Sequence, residues 1–282
     1  VAHVVTSVLD DLDRLRSSKY VQSYTGDALR ALLPMVQAGK RVLLCGSPCQ
    51  IAGFQRLLGK EHENLLTCDF ICLGVNSPKV FRKYLAMLEE RYRSRVADVK
   101  FKHKAFGWHR FSTRVRFENG KTYISDRHHD PFMRGYLAGR CFMRPSCYAC
   151  RFRNDSREAD ITLGDFWGIE RIRPGLDNDC GTSVVLANTQ KGEKAFQAVV
   201  DRGAVVSERM SMENVPGDNP ALQSSPKPNV PRADFFRELE ECRFDKLADR
   251  CFPVQPGRAR RMIRSAATMA SFLGLSDRKS VV

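Results

Sequence analysis

The 282-residue sequence has no run of about 18 apolar residues, which excludes a membrane-spanning helix. It has neither GxGxxG nor GxxxxGKS/T, so the ordinary dinucleotide and nucleoside-triphosphate folds lose support. The six histidines show no HxxxH or HExxH spacing, and His128 and His129 are expected in a surface loop. Ten cysteines fall well short of the density of a small secreted disulfide scaffold, and a chain this long does not need such staples to fold. No internal repeat is present. Val1 to Asp13 lacks the basic stretch and apolar segment of a signal peptide, so a cytoplasmic location is expected. A first residue of valine rather than methionine points to a segment missing upstream.

What is present is an apolar fraction of 43%, enough for one large or two small domains, and 46 Lys and Arg against 32 Asp and Glu. The resulting +14 charge implies an acidic partner: nucleic acid, anionic lipid, a phosphate-bearing cofactor or an acidic electron-transfer protein. From Lys40 onward, strands and helices alternate. Arg41 to Cys45 reads as a strand, and Ser47, Pro48 and Gln50 mark the start of a helix running to Leu58 through a capping box. Leu65 to Cys72 reads as a second strand, and Ser77-Pro78 opens a helix to Tyr92 whose apolar face holds Val80, Phe81, Tyr84, Leu85 and Leu88. Alternation from Arg110 to Phe117 predicts a half-buried strand with a basic outer face, and Asn119-Gly120 turns it back as a hairpin onto Lys121 to Ser125. Ala159 to Leu163 and Ser183 to Asn188 are further strand candidates, followed by a helix from Gly192 to Val200.

The expected fold class is α/β: a mixed sheet flanked by helices, with an inserted β-hairpin and a short helical C-terminal extension. The expected division is 1–212 as the principal domain, 213–232 as a proline-rich connector and 233–282 as a basic helical extension. Arg258, Arg260, Arg261, Arg264, Arg278 and Lys279 crowd the tail, which reads as a solvated helix or as a peripheral contact with anionic membrane.

The densest chemistry lies in Cys147-Tyr148-Ala149-Cys150, a CxxC that supplies half of a four-thiolate site. If the first two strands are parallel, their carboxyl ends share an edge, which brings Cys49 and Cys72 together there. Four thiolates from three segments suit either an iron–sulfur cluster or tetrahedral zinc. The surrounding Arg140, Arg144, Arg151 and Arg153 favour the cluster by offsetting its negative charge. Cys45, Cys68, Cys180, Cys242 and Cys251 read as buried inert thiols. The Gly46-Ser47 junction can accept a phosphate or flavin edge. The stretch from Asp160 to Gly168 (DITLGDFWG) reads either as a turn with core aromatics or as the wall of a planar cofactor site.

Taken together, SKYVQS (18–23), GSPCQIAGF (46–54), DFICLGVNSPKVF (69–81), DPFMRGYL (130–137), RPSCYACRF (144–152), ADITLGDFWGI (159–169) and GTSVVLANT (181–189) resemble the coenzyme F420 hydrogenase/dehydrogenase beta-subunit family of iron–sulfur flavoproteins. The resemblance implies an oxidoreductase with a 4Fe-4S cluster and bound FAD, passing electrons between the cluster and a hydride-carrying substrate such as coenzyme F420. It assigns the cluster to Cys49, Cys72, Cys147 and Cys150. It places flavin contacts at Ser18, Tyr20, Gln22, Gly46, Ser47 and Thr182, with Asp165 and Trp167 near the site and Lys19 as a charge for reduced flavin. The ferredoxin-like CxxCxxCxxxC segment of many relatives is absent here, so a ferredoxin, or a ferredoxin-like domain or subunit, is the implied partner. The competing readings are a noncatalytic docking subunit of the same fold and a zinc-stabilised nucleic-acid-binding module.

Overall fold

The computed structural model describes residues 1–215 and 218–254. Its strands are β1 (Val42–Cys45), β2 (Leu65–Phe70), β3 (Val96–His103), β4 (Ser112–Phe117), β5 (Thr122–Asp126), β6 (Ile161–Asp165) and β7 (Ser183–Ala187). The helices of eight or more residues are α1 (Gly26–Gln37), α2 (Pro48–Leu58), α3 (Pro78–Tyr92), α4 (Gln190–Asp201), α5 (Arg232–Glu241) and α6 (Phe244–Cys251). The basic tail lies outside the described residues. No helix among the described residues is long and apolar enough to cross a membrane.

One sheet runs β1-β2-β6-β7, with β1, β2 and β6 parallel and β7 antiparallel to β6. The carboxyl ends of β1 and β2 therefore share an edge, as the sequence reading required. α2 leaves that edge through the expected capping box: the Ser47 N–H donates to Gln50 Oε1 at 2.9 Å, and Gly59 ends the helix at φ +76°. The Asn119-Gly120 hairpin forms, but it belongs to a separate antiparallel sheet, β3-β4-β5. β3 was not anticipated, because VADVKFKH sets charged residues among its apolar ones. Thr113 is buried with Val115 and Phe117 as the alternation requires, but Ser112, expected on the outer face with Arg114 and Arg116, is buried as well.

The principal core lies between α3, the three-stranded sheet and the segment carrying Phe132, Met133 and Phe142. Phe235 and Leu239 of α5, and Phe244 and Leu247 of α6, are buried in this same cluster. These helices complete the core that the hairpin sheet and α3 leave open. Leu239→Ala is expected to cost about 2–5 kcal/mol, close to the cost of Leu88→Ala in the same cluster. Denaturant unfolding checks this, and an unchanged midpoint would show that α5 and α6 are an appendage.

Candidate functional site

Cys49 sits in the first turn of α2, and Cys72 lies two residues beyond β2. Cys147 and Cys150 occupy a 3-10 turn, Pro145–Ala149, and its end. All four line one cleft of about 50 Å³, with Arg144, Arg153 and Arg157 in its wall. The loop after β2 is laced to the CxxC segment by Ser77 N–H to Phe142 O and Arg144 N–H to Val75 O, both at 2.9 Å. Gly74 makes the approach possible. At φ +125°, its Cβ would stand 2.8 Å from Met143 Sδ and 3.2 Å from Cys147 Cβ. Gly74→Ala is therefore expected to cost about 2 kcal/mol, as read by thermal unfolding.

Burial pushes the Cys72 thiol up to about 12, against the Gly74 amide and Arg153, which favour the thiolate. Burial also raises Cys147, opposed by the Val75 amide and Arg153. The Gly74 and Val75 amides and the Arg153 charge thus favour the thiolate forms of these two residues. Arg153 is held in place by the connector, donating to Ala221 O at 3.1 Å and Ser224 O at 2.8 Å. Arg157 pairs with the buried Asp69 at 3.0 Å, where burial raises the carboxyl and both Thr162 and Arg157 oppose that rise. These features fit a thiolate-ligated, negatively charged group.

Cys141 is buried in the principal core, but the five cysteines expected as buried thiols are not buried. Cys45 and Cys180 are exposed, and Cys68, Cys242 and Cys251 are half-buried. Cys45 and Cys68 face one another in register on β1 and β2. The hydrogen bond between them lowers Cys45, and that bond together with burial raises Cys68.

The expected flavin residues fall into three groups. Gly46 and Ser47 lie beside Cys49, with Ser47 Oγ 3.3 Å from its sulfur. Gln22 is tied to the loop after β2 through its N–H to Asn76 O at 3.2 Å. Tyr20 packs on Tyr136, with ring centroids 4.8 Å apart, and is coupled electrostatically to Asp165 and Arg127, while Ser18 bonds to its hydroxyl. Asp165 stands near Trp167, which stacks on Trp108 at 4.5 Å between centroids. Thr182 lies behind this wall, its hydroxyl donating to Leu176 O at 2.6 Å. Lys19 directs its ammonium onto the carbonyls of Leu15, Arg16 and Ser17 at 2.9 to 3.1 Å.

Lys102 and Arg127 escaped the sequence reading. Lys102 has φ +52° and lies where the β3–β4 register shifts, a bulge that turns its side chain onto Asp165. Its ammonium also lies 5.4 Å from the centre of the Trp167 ring, and Arg127 lies 5.2 Å from the same ring. Burial lowers the Lys102 pKa, and Asp165 opposes that shift. His109, Glu170 and Asp177 converge on the outer side of this wall, where His109 Nε2 meets Asp177 Oδ2 at 2.7 Å.

The parallel edge of β1 and β2 and the CxxC turn thus gather four thiols into one cleft walled by arginines. The family model for the C terminus of the coenzyme F420 hydrogenase/dehydrogenase beta subunit matches residues 39–213, and the chain belongs to that oxidoreductase family. A solved structure of the F420-reducing nickel–iron hydrogenase complex from Methanosarcina barkeri, derivatised with xenon, is similar at 19% identity and a TM-score of 0.47. The match covers 87% of this chain and 72% of that one. No curated protein matches the chain.

Proposed function

We propose that this chain is an iron–sulfur flavoprotein oxidoreductase that exchanges electrons with a ferredoxin-type partner and a hydride-carrying substrate such as coenzyme F420. The observation that carries the proposal is the convergence of Cys49, Cys72, Cys147 and Cys150, from three separated segments, on one cleft walled by arginines. Family membership supports it. When bound, FAD and a 4Fe-4S cluster supply the exchange between two-electron hydride transfer and single-electron transfer.

The protein's own groups then have defined tasks. The four thiolates hold the cluster, with the Gly74 and Val75 amides donating to two of them and Arg153 offsetting charge. The Trp167 and Tyr20 side chains supply an aromatic wall against which a planar ring packs, and Lys102 and Arg127 hold negative charge beside it. Ser18, Gln22, Gly46, Ser47 and Thr182 remain the proposed polar contacts to the flavin, and Lys19 a peripheral positive charge. The +14 net charge suits an acidic electron-transfer protein as partner.

The test is an absorption spectrum of anaerobically purified protein with iron, sulfide, zinc and flavin assayed on the same sample. About four irons and four sulfides with bound FAD are expected. Reduced ferredoxin, coenzyme F420 and NAD(P)H would then be tried as redox partners. A colourless protein that holds zinc after anaerobic reconstitution would overturn the reading and favour the zinc-stabilised nucleic-acid-binding alternative. Intact cofactors without turnover by any of these partners would favour the noncatalytic docking role.

A further inference from the structure

Strands β1 and β2 carry Cys45 and Cys68 as register partners near the carboxyl end of their parallel ladder. Directly paired residues point to the same face of a sheet, and neighbouring strands lie about 4.8 Å apart. A disulfide needs its Cα atoms about 4.4–6.8 Å apart, a requirement that this register already meets. The two thiols are free and hydrogen-bonded to each other.

The face that carries the pair is open. Leu43, two residues before Cys45, is exposed, as are Phe70, two residues beyond Cys68, and Leu163, the register partner of Phe70 on β6. By the alternation of strands, these side chains share the face of the cysteines. The opposite face, with Val42, Leu44 and Leu65, is buried in a core with residues of α1 and α2. Cys45 is exposed and Cys68 half-buried, so one sulfur is accessible and a second stands beside it. Each precedes a cleft cysteine by four residues, and neither lines that cleft. The hydrogen bond from Cys68 outweighs burial and draws the Cys45 thiol down to about 7. About half of it is then thiolate, the reactive form, at neutral pH. A low thiol pKa, an accessible sulfur and an adjacent resolving thiol are the marks of redox-responsive cysteines.

We propose that Cys45 and Cys68 form a second, redox-reactive site whose oxidant is a small disulfide. The Cys45 thiolate attacks one sulfur of that disulfide, breaks its S–S bond, releases one half as a thiol and keeps the other as a mixed disulfide. The Cys68 thiolate then attacks the Cys45 sulfur, the second half leaves as a thiol, and a Cys45–Cys68 bond forms. The protein dithiol gives up two electrons and two protons, and the small disulfide takes them up as two thiols. Exposed disulfides are the labile ones, so the step is reversible. The closed pair ties the edge strand β1 to β2 just before the segments that bring Cys49 and Cys72 to the cleft. The site is independent of what that cleft holds.

The test uses the full chain, purified anaerobically and treated with oxidised glutathione, with iron and zinc assayed before and after. Free thiols are alkylated and the digest is sequenced by fragment ions, because Cys45 and Cys49 share one tryptic peptide, as do Cys68 and Cys72. A Cys45–Cys68 bond is expected in most chains, with metal content unchanged, and dithiothreitol is expected to reverse it. In Cys68→Ser the mixed disulfide with glutathione is expected to persist on Cys45. In Cys45→Ser the loss of the Cys68 thiol is expected to slow about tenfold or more. Cys180→Ser is expected to leave the bond unaffected. Thiols at 45 and 68 that stay free, a mixed disulfide on Cys45 that never resolves in the wild type, or a Cys49–Cys72 bond in its place would overturn the proposal. So would a Cys45–Cys68 bond that forms only as metal is lost. Mapping of the wild-type chain decides these outcomes whether or not either serine variant folds.

Discussion

Replacing Cys147 with serine is expected to reduce the iron and sulfide of anaerobically purified protein at least tenfold, while Cys180→Ser leaves both unchanged. Residues that merely orient a metal ligand change affinity about 10- to 100-fold, and loss of a ligand should cost no less. Cys147 is also the thiol most closely tied to the other segments. The Val75 amide favours its thiolate and its Cβ lies against Gly74, both residues of the loop after β2. Cys180 is exposed in the loop before β7 and lies outside the cleft. Metal assays and the visible absorption of the two variants, compared at equal protein concentration, decide the matter. Cys147→Ser protein with unchanged iron and sulfide would remove this thiol from the proposed set.

The convergence of the thiols was legible because each depends on local rules. A capping box fixes Cys49 at the start of α2, a strand ends just before Cys72, and a CxxC is a short turn wherever it occurs. Parallel pairing of β1 and β2 then brings Cys49 and Cys72 to one edge without any further information. The hairpin turn was legible for the same reason, since Asn119-Gly120 dictates its own geometry. Long-range packing was not legible. β3 carries Lys100 and Lys102 within its run and pairs with β4 only through an irregular register. α1 contains Pro34, which argues against a helix interior, yet it is held by burying Leu32 and Val36 against β1 and α2. The burial of α5 and α6 in the core beside α3 depends on apolar faces meeting across a long stretch of intervening chain. The position of Lys102 was least legible of all, because a strand pattern alone would alternate it with its neighbours and a bulge reverses that expectation.

That same bulge makes Lys102 the most informative residue of the proposed flavin wall. Lys102→Met is expected to lower thermal stability and to slow flavin reduction at least tenfold, about 1.4 kcal/mol in the barrier. Two effects contribute to that outcome. The first is structural: Asp165 loses its cation and keeps only the Trp108 Nε1 hydrogen bond, at 3.3 Å. Breaking a fully buried pair costs about 3–5 kcal/mol, but the Asp165 side chain is 32% exposed, so solvent reduces the cost here. The second is functional: a positive charge beside Trp167 is lost where reduced flavin would carry negative charge. Lys102→Met combined with Asp165→Asn separates the two, because it removes the unpaired carboxylate as well. Stability is expected to recover in the double variant while the slow reduction persists. Lys19→Met provides the contrast. Lys19 is exposed and its ammonium faces carbonyl groups, so its loss should change stability by less than about 1 kcal/mol and the reduction rate less than Lys102→Met does. Stopped-flow reduction paired with thermal unfolding of the same four samples reads both quantities. If the double variant regains both stability and rate, Lys102 acts only by neutralising Asp165, and the charge beside the flavin must come from Arg127 or Lys19.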